Sequence, residues 1–266
     1  MICRRTFGIL FALAGLAIPM RATGSTVVFQ ENFEDAAWVI GNQVDVAGPL
    51  SWVLSNIPTN GTATIQATQI GSGGSKSMHL DDFTNGVSGS ECRIQMTSAG
   101  LNGWNTNQGV ARGVIQFDAR CISSLNVNIR LYDDAPAANA NPANDDMLVT
   151  IMFGPSLLRI GARDAADTAS ANFDSTPWAN NTDYRFIITF DQGTRDLSVQ
   201  VKDGAGYSNT FYSTGAVKVR NTPGTGFTGV RGFQFSTGAA QIPVHQFDNF
   251  IVTETGSGVE DWRALD

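Results

Sequence analysis

Tyr184-Arg-Phe-Ile-Ile-Thr-Phe-Asp-Gln-Gly-Thr-Arg-Asp-Leu-Ser-Val-Gln-Val-Lys-Asp203 is the stretch that decides the fold class. Tyr184, Phe186, Ile188 and Phe190 recur at every second position, and Leu197, Val199 and Val201 resume the pattern after a short break. Successive strand side chains point to opposite faces, so this period of two predicts two strands that bury one face. Arg185, Thr189, Asp196, Ser198, Gln200 and Lys202 fall on the other. Gln192-Gly193-Thr194 between them has the length and the glycine of a hairpin connection.

The same alternation continues in both directions. Strands are predicted at Thr26–Phe33, Ser51–Ser55, Thr62–Ala67, Ser75–Asp82, Glu91–Thr97, Arg112–Cys121 and Leu125–Tyr132. Further strands are predicted at Met147–Phe153, Leu157–Arg163, Tyr184–Asp191, Arg195–Lys202, Tyr207–Tyr212, Val230–Ser236 and His245–Thr253. Helical periodicity is almost absent, and Gly, Pro, Asn and Ser separate the segments, so the chain reads as all-β, a two-sheet antiparallel sandwich. No internal repeat is evident. Asp133 to Asp146 is a low-complexity loop of Ala, Asn, Pro and Asp, and Gly256-Ser257-Gly258 reads as a flexible link to the tail.

The two ends differ from the middle. Arg4 and Arg5 precede an apolar run, Phe7 to Ile18, too short to span a bilayer, and small residues follow at Ala22-Thr23-Gly24. This is the pattern of a secretory signal peptide, 1–24, leaving one β domain over 25–254 and a tail over 255–266. The mature protein is expected to be secreted, periplasmic or at the cell surface, without membrane insertion. Removing Arg4, Arg5 and Arg21 takes the formal charge from −7 to about −10, which argues against nucleic acid as a partner. Cys3 leaves with the signal. Cys92 and Cys121 remain, an even pair in an oxidising compartment, and can form a disulfide.

Four segments carry a family resemblance: Phe29-Gln-Glu-Asn-Phe-Glu-Asp35, Ser75-Lys-Ser-Met-His-Leu-Asp-Asp82, the hairpin preceded by Trp178, and Phe247-Asp-Asn-Phe-Ile-Val252. Together the chain resembles the concanavalin A-like jelly rolls, a superfamily that includes laminin-G-type domains, legume lectins, laminarinase-type glucanases and several polysaccharide lyases. The resemblance covers nearly the whole mature chain and implies a jelly-roll β-sandwich. One such scaffold hosts many unrelated functions.

Strand parity supplies the functional clue. Cys92, Ile94 and Met96 oppose Arg93 and Gln95; Ile115, Phe117, Ala119 and Cys121 oppose Gln116, Asp118 and Arg120; Leu125, Val127, Ile129 and Leu131 oppose Asn126, Asn128, Arg130 and Tyr132. If these strands are neighbours, one face gathers Arg93, Gln95, Gln116, Asp118, Arg120, Asn128, Arg130 and Tyr132. Sugar hydroxyls match Asn, Gln, Asp and Arg, and arginine clamps carboxylate or sulfate groups bidentately. The mature chain has only Lys76, Lys202 and Lys218 as lysines against eleven arginines, which points to an acidic polysaccharide. Trp104, in a polar loop, is the aromatic best placed to stack on a sugar ring; Trp38, Trp52 and Trp178 flank apolar strands and are expected in the core. The alternatives are a polysaccharide lyase or glycoside hydrolase using the same face, and a structural or adhesive protein without a small ligand.

Catalytic signatures are weaker. Some lyases of this superfamily carry an Arg-x-Glu-Leu-Arg strand, a later Gln-Ile-His and a tyrosine-rich strand. Ser90-Glu-Cys-Arg93, Ile115-Gln-Phe117 and Phe211-Tyr-Ser-Thr-Gly215 follow that order, but Phe117 stands where the histidine would be. The Glu-x-Asp-x-x-Glu strand of the glucanases is absent. His79 and His245 have no triad spacing and read as strand residues.

Calcium is the expected cofactor. The fold brings first and last strands together, so Glu31, Asn32 or Glu34 can meet Asp248 and Asn249 and supply hard oxygen ligands. Asp133-Asp134 and Asp145-Asp146 are a second candidate.

Overall fold

The structure, a computed structural model, describes residues 25–44, 52–54, 61–71, 74–82, 93–96, 110–122, 127–133, 142–237 and 244–256. Within them run the strands β1 (Ser25–Glu31), β2 (Trp52–Leu54), β3 (Gly61–Gln66), β4 (Ser77–Asp82), β5 (Arg93–Met96), β6 (Arg112–Cys121), β7 (Val127–Tyr132) and β8 (Met147–Phe153). They continue as β9 (Leu157–Arg163), β10 (Ser170–Pro177), β11 (Asp183–Asp191), β12 (Asp196–Asp203), β13 (Asn209–Ser213), β14 (Val217–Lys218), β15 (Gly232–Thr237) and β16 (Val244–Thr255). The only helical pieces among the described residues are two 3-10 turns, Asn144–Asp146 and Ala205–Tyr207.

All pairings are antiparallel. A front sheet has the order β2-β5-β15-β7-β8-β9-β14 and a back sheet the order β12-β11-β6-β16-β4-β3; β14 pairs with both β9 and β12 and joins them. Two predicted boundaries miss elements. β10 has Phe173 as its one large apolar residue and lies at an edge, and β14 is two residues long, so neither carries a usable period.

The opening hairpin forms as its parity requires. Phe186, Ile188 and Phe190 pair with Val201, Val199 and Leu197, and all six are buried. Its turn uses the sequence differently from expectation. Arg195, not Gly193, takes the left-handed conformation (φ 61°), while Oδ1 of Asp191 accepts the backbone N–H groups of Gly193 and Thr194.

The core lies between the sheets and is rich in phenylalanine. Phe117 of β6 stacks on Phe186 of β11 at 4.8 Å, and the sheets meet where Phe235 of β15 approaches Phe247 of β16 at 4.4 Å and Phe153 of β8 approaches Phe186 at 5.7 Å. Trp38 and Trp178 are buried, as expected for core tryptophans, and each indole N–H has an acceptor, Glu31 Oε2 and the Gly154 carbonyl, both at 3.0 Å. A bulge in β16 shapes the back sheet. The register slips between Asp248 and Ile251, Asn249 adopts φ 54°, and Phe247 and Phe250 both reach the core.

Cys121 is buried, with its Sγ 3.9 Å from Nδ1 of His245. Cys92 lies outside the described residues and no disulfide is present among those that are described, so the expected Cys92–Cys121 crosslink is not shown.

Candidate functional site

The surface expected from parity divides between the two sheets. β5 and β7 flank β15 in the front sheet, which brings Arg93, Gln95, Asn128 and Arg130 into register with Ser236 and Gln234. β6 lies in the back sheet between β11 and β16, so Gln116, Asp118 and Arg120 belong to the opposite outer surface. Parity is local and correct; adjacency is set by loops, and the strands on either side of Cys121 enter different sheets. Trp104 lies outside the described residues. Tyr132 does not join an open face: a bulge after Leu131 leaves it buried over Gly232, and burial raises its phenol pKa.

Electrostatics then separates the two surfaces. On the back sheet the charges neutralise one another. Arg185 donates to both oxygens of the fully buried Asp118 at 2.7 and 2.8 Å, and Arg120 does the same to Asp183 at 2.5 and 3.0 Å. The Tyr207 ring covers the Arg185 guanidinium at 4.1 Å, and Asn249 Nδ2 donates to Asp118 at 2.8 Å. Asp118 and Arg120 are therefore spent on the fold.

On the front sheet Arg220 forms no ion pair with a carboxylate of the described residues. A pocket of about 260 Å³ opens on the outer face of this sheet, lined by Asn128, Arg130, Pro142, Asn144, Met147, Thr150 and Arg220, with no carboxylate among them. Arg130 Nη1 donates to Gln234 Oε1 at 3.1 Å and Ser236 Oγ at 2.6 Å, which fixes one wall. Arg220 leaves the end of β14 and forms the other, its Nη2 donating to Asn144 Oδ1 at 3.1 Å. Sequence reasoning missed Arg220, Thr150 and Asn144. The alternation Val217-Lys218-Val219-Arg220, with both valines buried, was the signal that could have found Arg220.

The lyase-like constellation does not assemble. Arg93 is in the front sheet, whereas Phe117 is buried in the core from the back sheet and Phe211 and Tyr212 lie on β13 beside β12. His245 is fully buried and its pKa is pushed down to about 3 by burial; His79, on the outer side of β4, is lowered for the same reason.

The first and last strands pair as expected, β1 with β16. Glu31 accepts Phe33 N at 2.6 Å and the Trp38 indole, and burial raises its pKa. Glu34 accepts Lys76 N at 2.7 Å and Ser75 Oγ at 3.1 Å, while Lys76 Nζ caps the carbonyls of Asp35 and Trp38. Asp248 is fully buried beside Asp118, its Oδ1 accepts Asn249 N at 2.7 Å, and its Oδ2 has no partner. Burial first, then the charges of Asp118, Glu34 and Glu31, push its pKa up to about 8. That orphaned oxygen in a negative setting fits a cation. Among the described residues no three of His, Cys, Asp or Glu converge on one point, so an ion there must draw on backbone carbonyls and water. The second candidate fits less well: Asp133 accepts Thr228 N and Oγ1 and pairs with Arg231 at 2.9 Å, and Asp134 lies outside the described residues.

The sequence matches no family model and no curated protein. Solved structures do match. A carbohydrate esterase from the Shiga toxin-encoding bacteriophage phi24B superposes with a TM-score of 0.51 at 16% identity, over 88% of this chain and 100% of that one. The catalytic domain of a glycoside hydrolase family 131 protein from Coprinopsis cinerea gives 0.51 at 12% identity over 87% and 95%, and the winged bean acidic lectin, complexed with methyl-α-D-galactose, gives 0.50 at 13% over 87% and 99%. The chain spans 17% of the length of a sialidase it also matches. The fold is the concanavalin A-like antiparallel jelly roll.

Proposed function

We propose that this chain is a carbohydrate-binding module that holds an acidic polysaccharide against the outer face of its front sheet. The observation that carries this reading is the pocket lined by Arg130, Arg220, Asn128, Asn144 and Thr150 with no carboxylate. Amides and hydroxyls suit sugar hydroxyls, and guanidinium groups suit acidic substituents. The three neighbours, a lectin with a bound galactoside, an esterase and a glycoside hydrolase, work on carbohydrate with this scaffold, which supports the reading by analogy of fold alone. Acid/base glycoside hydrolysis needs two carboxylates across the bond, and the pocket lining has none among the described residues.

The reading includes two further parts. Residues 1–24 direct export, so the module works outside the cytoplasm; N-terminal sequencing of protein recovered outside the cell tests this. Calcium at Asp248 is structural, motivated by the orphaned Oδ2, and lies on the back of the sandwich from the sugar face.

A glycan array combined with release assays on acidic polysaccharides tests the function. Saturable binding without product is expected. Product formation would replace it with an enzyme, and silence in both assays would leave the adhesive reading.

A further inference from the structure

The guanidinium of Arg220 is held in the pocket with part of its donor capacity unused. Its Nη2 meets Asn144, but its Nε is buried without an acceptor, and it forms no ion pair with a carboxylate of the described residues. Two other arginines of this sheet are differently placed. Arg159 is bidentate to Asp174, and Arg163 pairs with Asp167. Burial lowers the Arg220 pKa, the mark of a cation that has lost water without gaining a counter-charge. Such a group gains strongly from an anion delivered to it.

The backbone prepares the space. Arg220 N donates to the Leu148 carbonyl at 2.7 Å, which fixes the root of the side chain. Gly161 pairs with Thr150, and a Cβ at Gly161 would fall 2.3 Å from Thr150 Oγ1 and 2.7 Å from Arg220 Nη1. A side chain at Gly161 would force the Thr150 hydroxyl and the Arg220 guanidinium to shift. At about 260 Å³ the pocket lies just under the usual range of ligand sites, a size for one substituted ring rather than a stretch of polymer.

We propose that this pocket is a subsite for a single anionic substituent of a sugar, a carboxylate or a sulfate ester, with Arg220 as its specificity-determining residue. The inference rests on the glycan reading of the same face. Arg130, already tied to Gln234 and Ser236, contributes fixed positive charge; Arg220 contributes the unsatisfied donor.

Calorimetric titration of the full chain with glucuronate, glucose 6-sulfate, glucose and an acidic polysaccharide tests it, with Arg220→Gln and Gly161→Ala alongside and their melting temperatures checked. Both charged monosaccharides, or one of them, bind in preference to glucose, and the choice identifies the substituent. Arg220→Gln weakens acidic ligands by roughly tenfold or more, the loss of one charge-assisted hydrogen bond, and Gly161→Ala does the same by displacing the guanidinium. An Arg220→Gln variant that binds the polysaccharide as the wild type does overturns the subsite and leaves the glycan reading standing. A wild-type chain that takes glucuronate but no polysaccharide overturns the glycan reading and keeps the anion pocket. Glucose equal to glucuronate, or no binding of any ligand, overturns the subsite.

Discussion

Arg185 and Asp118 face each other across the β11–β6 pair, both carboxylate oxygens accepting from one guanidinium that the Tyr207 ring roofs at 4.1 Å. Asp118 is fully buried, so removing its partner from one side strands a charge. Breaking a buried pair this way costs roughly 3–5 kcal/mol, and the partial exposure of Arg185 places the expectation near the lower figure, about 3 kcal/mol. Arg185→Ala should lose that much in urea unfolding while glycan affinity stays constant. Unchanged stability would show that Asp118 is not held by this pair.

Arg120 and Arg130 separate the two surfaces experimentally. Arg120 is engaged by Asp183 on the back sheet, and Arg130 lines the front pocket. Arg120→Ala should leave binding of an acidic polysaccharide within twofold, whereas Arg130→Ala should weaken it by roughly tenfold. Equal losses in the two variants would restore a single continuous surface.

How much of this was legible beforehand follows from what parity encodes. The hairpin, the burial of Phe117 and the placement of Asp118 and Arg130 on the parity opposite the core residues are all local consequences of a two-residue period, and each holds. Strand order is not local. It depended on the segments around Cys121 and Tyr132, whose polar composition gives no sign of which sheet the next strand enters. Arg220 lies two residues past the two-residue strand β14, so only the short alternation Val217-Lys218-Val219-Arg220 marks it, and that is too brief to stand out as a strand.

His245 makes stability depend on pH. Its pKa falls from 6.5 to about 3 in the folded state because the ring is buried against Phe153 and Phe247. A depressed histidine contributes stability that is full above its unfolded value and is lost as pH falls below about 6.5 toward 3, because only the unfolded chain binds the proton. The melting temperature should fall between pH 7 and pH 4, and more steeply in the wild type than in His245→Leu. Parallel slopes would rule His245 out as the source.

Calcium should act through Asp248. An ion at one hundred times its Kd adds about 2.7 kcal/mol, and each kcal/mol moves the melting temperature of a domain this size by roughly 2–4 °C. Calcium should therefore raise the melting temperature by several degrees, a chelator should reverse the rise, and Asp248→Asn should abolish the response. A wild-type chain indifferent to both additions would remove the ion from the account.

β14 pairs with β9 through Lys218 and with β12 through Val217 and Lys218, and Arg220 stands two residues beyond, its backbone anchored to Leu148. Mechanically, that makes the arginine a bracket bolted to the seam of the sandwich. A force applied at Arg220 would therefore be passed through β14 to the ladders of both sheets.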